Sequence, residues 1–250
     1  MKRSVSLSGL VSLILISSLF IWLDKIAFLI VIFLMFATSS LLTKFRQNKK
    51  GEFKMVIAKP GSRDYIQAVC NLGAATGIML LWHFTREDYF MAAFIGSVAA
   101  ANADSWASEI GGLSKKQPVM ITNFKPVAKG ISGGVTLTGI LGGIAGAFFI
   151  SFSGLVFFYL LENNMATEMT SLFFSSFFAG AAAFISDSYL GSWLQALYLD
   201  EKNLLTENSS ASGVKLIKGW KWMNNDLVNL ITTVLGGGLG AIFLLIQKFQ

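Results

Sequence analysis

The chain contains a single cysteine, Cys70, and a single histidine, His83. One cysteine excludes an intrachain disulfide framework and a cysteine-based zinc site. One histidine, beside Arg86, Glu87 and Asp88 in what reads as a short loop, argues against a histidine metal site or a histidine general base. Charge is scarce as well: 14% of the 250 residues are Asp, Glu, Lys or Arg, against 54% hydrophobic. That balance, with a mean hydropathy of +0.61, excludes an ordinary soluble domain and reads as one integral membrane domain spanning residues 1–250. A net charge of +6 could signal nucleic acid in a soluble protein. Here the membrane accounts for it, and no nucleic-acid partner is expected.

Apolar runs predict an all-α, polytopic helix bundle of seven spans, roughly 5–23, 26–43, 65–83, 88–110, 133–161, 168–198 and 226–247. Residues 1–43 form an N-terminal hairpin, and residues 60–250 a core. The last long run before the final span is expected to tilt, kink or extend past the bilayer. With the N-terminus in the cytoplasm, 17 of the 20 basic residues fall in inside segments, and only Lys25, Arg86 and Lys248 lie outside. The expected location is therefore a cell membrane, crossed several times.

Asn102-Ala-Asp-Ser-Trp-Ala-Ser-Glu-Ile-Gly111 closes the fourth span. At about 100° per residue, Asn102, Asp104, Ser105, Ser108 and Glu109 share an arc roughly 160° wide. Ionisable groups in a span are costly and line polar cavities more often than lipid. The topology carries Asp104 and Glu109 toward the cytoplasmic end and brings Asp187 and Ser188 there from the sixth span. Gln67 and Asn71 start the third span at that end, and Asn225, Asp226 and Asn229 open the seventh. One cytoplasm-facing cavity is the inference.

Between the fourth and fifth spans, Lys129-Gly130-Ile-Ser132-Gly133-Gly has glycines that admit close backbone approach, with Ser132 as a candidate helix N-cap. Such a turn is either structural or, with Lys129, a phosphate site. It lacks the Gly-Lys-Ser/Thr ending of a Walker A loop. Gly139, Gly142, Gly143 and Gly146, like Gly236 to Gly238 and Gly240, read as small-residue packing faces. Lys215 to Met223 reads as an interfacial anchor with Trp220 and Trp222 at headgroup depth, or as a cover for the cavity mouth.

Oxygen ligands without histidine or cysteine suit Mg²⁺, which commonly binds through one or two carboxylates together with substrate phosphates. Asp104, Glu109 and Asp187 are the candidate metal ligands, with Asp226 as a further candidate. A cavity of this kind would serve phosphorylated, membrane-resident substrates. The rival reading is a transporter or flippase of an anionic substrate that couples ion movement through the same carboxylates. A transporter, however, needs polar residues along the whole path, and the outer halves of these spans are almost wholly apolar.

The Asn102–Gly111 stretch resembles the signature of the DUF92 integral membrane proteins, a family that includes phytyl-phosphate kinases. The resemblance continues in Arg63-Asp-x-x-Gln67 with Asn71, in Pro126 to Val135, in Asp187-Ser-Tyr-Leu-Gly191 with Gln195, and in Asn224 to Asn229. It implies a kinase that converts a prenyl monophosphate to its diphosphate, with CTP or another nucleoside triphosphate as donor. On that reading Asp104, Glu109 and Asp187 hold metal and triphosphate. Lys129 and the backbone at Gly130, Ser132 and Gly133 bind phosphate oxygens. Asn71, Asn102, Ser108, Ser188, Asn225 and Asn229 orient the bound groups.

Overall fold

Each apolar run is a helix in the computed structural model, which describes residues 6–48, 65–162, 168–210 and 213–249. The helices are α1 (Leu7–Trp22), α2 (Ile26–Asn48), α3 (Tyr65–Thr85), α4 (Tyr89–Gly112), α5 (Leu137–Leu161), α6 (Met169–Trp193) and α7 (Asn225–Lys248). Five of them, α2, α3, α5, α6 and α7, are long and apolar enough to cross a membrane by length and composition. α1 has 16 residues and is shorter than a usual span.

α4 differs for a physical reason. Every residue from Met91 to Ala103 is buried, and the helix packs against α2, α3, α5, α6 and α7. A helix enclosed by other helices has no lipid to face, so alanine and glycine replace large apolar side chains. Bare backbones touch at its contacts. A Cβ added at Gly96 of α4 would lie 2.6 Å from the Gly236 carbonyl oxygen of α7, and one added at Gly236 would lie 2.7 Å from the Gly96 carbonyl. Gly180 of α6 meets Ala99 in the same way, with 2.6 Å between Cβ positions. Gly238 departs from the small-residue expectation: nothing lies within 4 Å of its Cβ position, because it faces outward.

Two spans end earlier or begin later than their apolar runs suggest. α5 starts at Leu137, not 133, because β2 (Gly134–Val135) pairs antiparallel with β1 (Val119–Met120). Its N-cap is Thr136, whose hydroxyl accepts from Gly139 N–H at 3.1 Å, so Ser132 is not the cap. α6 stops at Trp193, and the apolar run continues into β3 (Leu197–Leu199). β3 is the middle strand of a small antiparallel sheet, order β4-β3-β5, with β4 (Leu205–Thr206) and β5 (Lys215–Lys218). Backbone pairing in strands of two to four residues leaves no periodicity to read.

The two ends of the bundle differ. At one end Phe20, Phe28, Phe94 and Phe158 are fully buried and cluster, with the Phe28 ring edge-to-face with Phe94 at 4.7 Å and with Phe158 at 4.5 Å. Lys25 and Arg86 each lie over the Trp82 ring, at 4.8 and 4.7 Å from its centroid, and Lys248 pairs with Asp88 at 3.7 Å. Those are the three basic residues that charge placement puts outside. The other end collects the C-terminal ends of α2, α4 and α6 and the N-terminal ends of α3, α5 and α7.

Candidate active site

That second end holds a cavity of about 460 Å³. Asp104, Ala107, Ser108 and Gly111 of α4 form one wall, and Phe184, Asp187 and Ser188 of α6 another. The loop from Lys129 to Thr136 crosses it, Gln67 and Asn225 reach it from the starts of α3 and α7, and Arg46 comes from the end of α2. Eleven of the expected positions therefore converge: Gln67, Asp104, Ser108, Lys129, Gly130, Ser132, Gly133, Asp187, Ser188, Asn225 and Asp226.

Four do not. Asn71 and Asn229 are outside the lining. Asn102 is fully buried and ties three helices together: its Nδ2 donates to the Gly146 carbonyl of α5 at 2.9 Å, and Thr38 of α2 donates to its Oδ1 at 3.4 Å. Glu109 is held by Arg46 at 3.1 Å and accepts from the Thr43 hydroxyl at 2.9 Å. Of the candidate ligands, Asp104, Asp187 and Asp226 line the cavity and Glu109 does not; among the described residues no group of three or more His, Cys, Asp or Glu is placed to hold a metal. The 160° arc is too wide to be one face. Asn102, Trp106 and Glu109, at i, i+4 and i+7, form a seam toward α2, where Trp106 Nε1 donates to Thr38 Oγ1 at 3.2 Å. Asp104, Ala107, Ser108 and Gly111 form the cavity face. Arg63 and Asp64 of the third-span motif lie outside the described residues.

The Glu109–Arg46 pair is largely enclosed, with 17% and 8% of the side chains exposed. Glu109→Ala leaves the guanidinium without its carboxylate and is expected to cost about 3 kcal/mol of stability. The expected result is a fall in the detergent-solubilised unfolding temperature, with ligand affinity in the folded fraction unchanged. A metal ligand would show the reverse pattern.

Asp104 and Asp187 are close enough for their charges to interact, and among the described residues neither forms an ion pair. The Thr232 hydroxyl of α7 donates to Asp187 Oδ2 at 3.0 Å and fixes its rotamer. This donor set fits Mg²⁺ held by two carboxylates with the remaining positions filled by ligand oxygens and water. Lys129 Nζ donates to the Ser114 carbonyl at the cavity edge. Gly133 has φ +83°, and an added Cβ would lie 2.6 Å from Ser192, so the loop lies directly on the end of α6.

The sheet after α6 supplies residues that the sequence did not single out. Glu207 and Asn208 to Ser210, following β4, line the cavity. Glu207 accepts from Ser132 N–H at 2.9 Å and from Gln195 Nε2 at 2.7 Å. Burial pushes its carboxyl above the usual glutamate range, opposed by those donors and by Lys218. Burial also lowers Lys218, which Glu207 partly offsets. Trp220 and Trp222 stack at 5.1 Å on the exposed side of this segment.

A multi-pass helical membrane protein with one polar, carboxylate-bearing cavity at one end is the class that this fold and site define. Residues 1–237 match integral membrane protein DUF92, and the chain belongs to that family. It is 30% identical to Protein PGR of Arabidopsis thaliana over 225 residues, 83% of this chain and 78% of that protein. It is 34% identical to the uncharacterized membrane protein MJ0933 of Methanocaldococcus jannaschii over 149 residues, 60% of this chain and 49% of that protein. It is 27% identical to the chloroplastic Protein VTE6 of Arabidopsis thaliana over 160 residues, 64% of this chain and 39% of that protein. No solved structure matches the chain.

Proposed function

We propose that the protein is a Mg²⁺-dependent prenyl-phosphate kinase of the cell membrane whose cavity faces the cytoplasm. The observation that carries this is the meeting of Asp104 and Asp187 across a cavity bordered by the Lys129–Gly133 loop. The placement of basic residues supports the cytoplasmic orientation. The phytyl-phosphate kinases within the resemblance suggest the acceptor and CTP as the donor.

Phosphoryl transfer demands mainly positioning and charge neutralisation. An oxygen of the acceptor monophosphate attacks the γ-phosphorus, the bond from that phosphorus to the β–γ bridging oxygen breaks, and nucleoside diphosphate leaves. The acceptor is already an anion, so no strong base is needed. Asp104 and Asp187 would hold Mg²⁺, which neutralises charge on the phosphates. The Thr232 hydroxyl would hold the Asp187 carboxylate in place for that role. Backbone N–H groups of the glycine loop and Lys129 would face phosphate oxygens. Ile140 and Phe184 supply apolar wall against which a prenyl tail could enter from lipid.

The buried phenylalanines at the opposite end favour an enzyme over a transporter. Phe20, Phe28, Phe94 and Phe158 are fully buried there, and Phe28 packs edge to face on Phe94 and Phe158 to form an apolar plug. The test is purified protein with Mg²⁺, γ-labelled CTP or ATP, and a panel of prenyl monophosphates. Label in the prenyl diphosphate, absent with Asp104→Ala, is the expected result. No label with any pair, together with ion-driven uptake of an anionic substrate into proteoliposomes, would establish the transporter instead.

A further inference from the structure

Glu207 is an oddity in a cavity that would receive phosphates. Its carboxylate joins those of Asp104, Asp187 and Asp226 on the lining, and it packs against the glycine loop itself. Ser132 N–H donates to one carboxylate oxygen at 2.9 Å, and Gln195 Nε2 donates to the other at 2.7 Å. Lys218 lies beside them: its Nζ donates to the Gly191 carbonyl at 3.2 Å, and Gly191 packs directly on Ser132 and Gly133. A backbone N–H and a side-chain amide thus converge on one anion, with an ammonium near enough to act on it by charge. Phosphate oxygens use the same three kinds of donor.

We propose that Glu207 is a resident surrogate for a phosphate group, and that a di- or triphosphate ligand binds by displacing its carboxylate from the donors at Ser132 and Gln195, beside the Lys218 ammonium. The inference rests on the cavity being a site for phosphorylated ligands. It adds a cradle for one particular phosphate, built from the end of α6, the glycine loop and β5, and a competitor carried by the chain itself. The competitor keeps the donors satisfied when no ligand is bound, since buried donors without partners are costly. Its burial raises the Glu207 carboxyl, so the charged form is held there at a disadvantage that eases its release.

Calorimetric titration of the full-length protein in detergent with inorganic pyrophosphate and Mg²⁺ tests this. Glu207→Ala is expected to bind at least about tenfold tighter than the unsubstituted protein, because a like charge and a competing acceptor are both gone. Glu207→Gln, which keeps an amide oxygen for Ser132 N–H, is expected to bind at least about threefold tighter and decides the matter if the alanine variant does not fold. Glu201→Gln makes the same charge change at an exposed position of the same segment and should leave binding within about twofold. If the unsubstituted protein binds pyrophosphate and the Glu207 variants bind no tighter, the surrogate idea is overturned while the phosphate site stands. Equal tightening by Glu201→Gln would overturn it as a bulk charge effect. No pyrophosphate binding by any of these proteins would overturn the phosphate site together with the surrogate.

Discussion

Asp187→Asn is expected to lower turnover of the proposed kinase by about 10²- to 10³-fold and to leave the bundle folded. The magnitude is that of removing one preorganised charge from a phosphoryl-transfer site. Asparagine retains an oxygen to accept from the Thr232 hydroxyl, now at 3.0 Å from Asp187, so the rotamer and the α6–α7 contact survive. Only the charge is lost. Asp104→Asn gives a loss of the same order, and the double variant is scarcely worse than either single one, since both residues serve one ion. Stability moves the other way. Two carboxylates that face each other across a buried cavity repel, and neutralising either removes that repulsion. The ligand-free unfolding temperature of Asp187→Asn is therefore expected to equal or exceed that of the unsubstituted protein. A residue kept for structure alone would lose stability and activity together.

The second large effect lies away from the cavity. Gly236→Leu prevents the folded bundle from accumulating. Its Cβ would be 2.7 Å from the Gly96 carbonyl and 2.9 Å from Ala100 Cβ, both on the central helix. Backbone cannot move aside like a flexible side chain, so α7 must shift from α4, at a cost above about 3 kcal/mol for a residue this large. Thr232 lies one turn earlier on α7, so the shift also withdraws the hydroxyl that holds Asp187. Gly238→Leu, two residues on, points into open space and is expected to change stability by no more than about 0.5 kcal/mol. Unfolding followed by fluorescence-detected size exclusion separates the two. Equal behaviour would mean that α4 and α7 do not touch through their glycines.

The helices were legible because apolar runs of sixteen residues or more leave few alternatives. The site was partly legible. Asp104 and Asp187 stood out because charge inside a span demands a reason. Glu109 stood out for the same reason, yet its reason is Arg46, whose position at the end of α2 made it look like one more basic residue of an inner loop. Asn102 carried the family signature and serves packing: the buried amide spends its donor on Gly146 and its acceptor on Thr38 and Ser39. A helical wheel gives the angle of a residue but not which neighbour stands at that angle. Glu207 left no trace, because it lies in a polar stretch whose fold depends on pairing β3 with strands before and after it. Non-local backbone pairing of so few residues has no local pattern.

The central claim is that Asp104 and Asp187 jointly hold one divalent cation against a phosphorylated ligand. Mn²⁺, a spectroscopic substitute for Mg²⁺, reports this directly by electron paramagnetic resonance in the presence of inorganic pyrophosphate. The expected result is one bound Mn²⁺ per chain, lost in Asp104→Asn and in Asp187→Asn and retained in Glu109→Gln. Binding that survives both aspartate changes, or that vanishes only with Glu109→Gln, would contradict it.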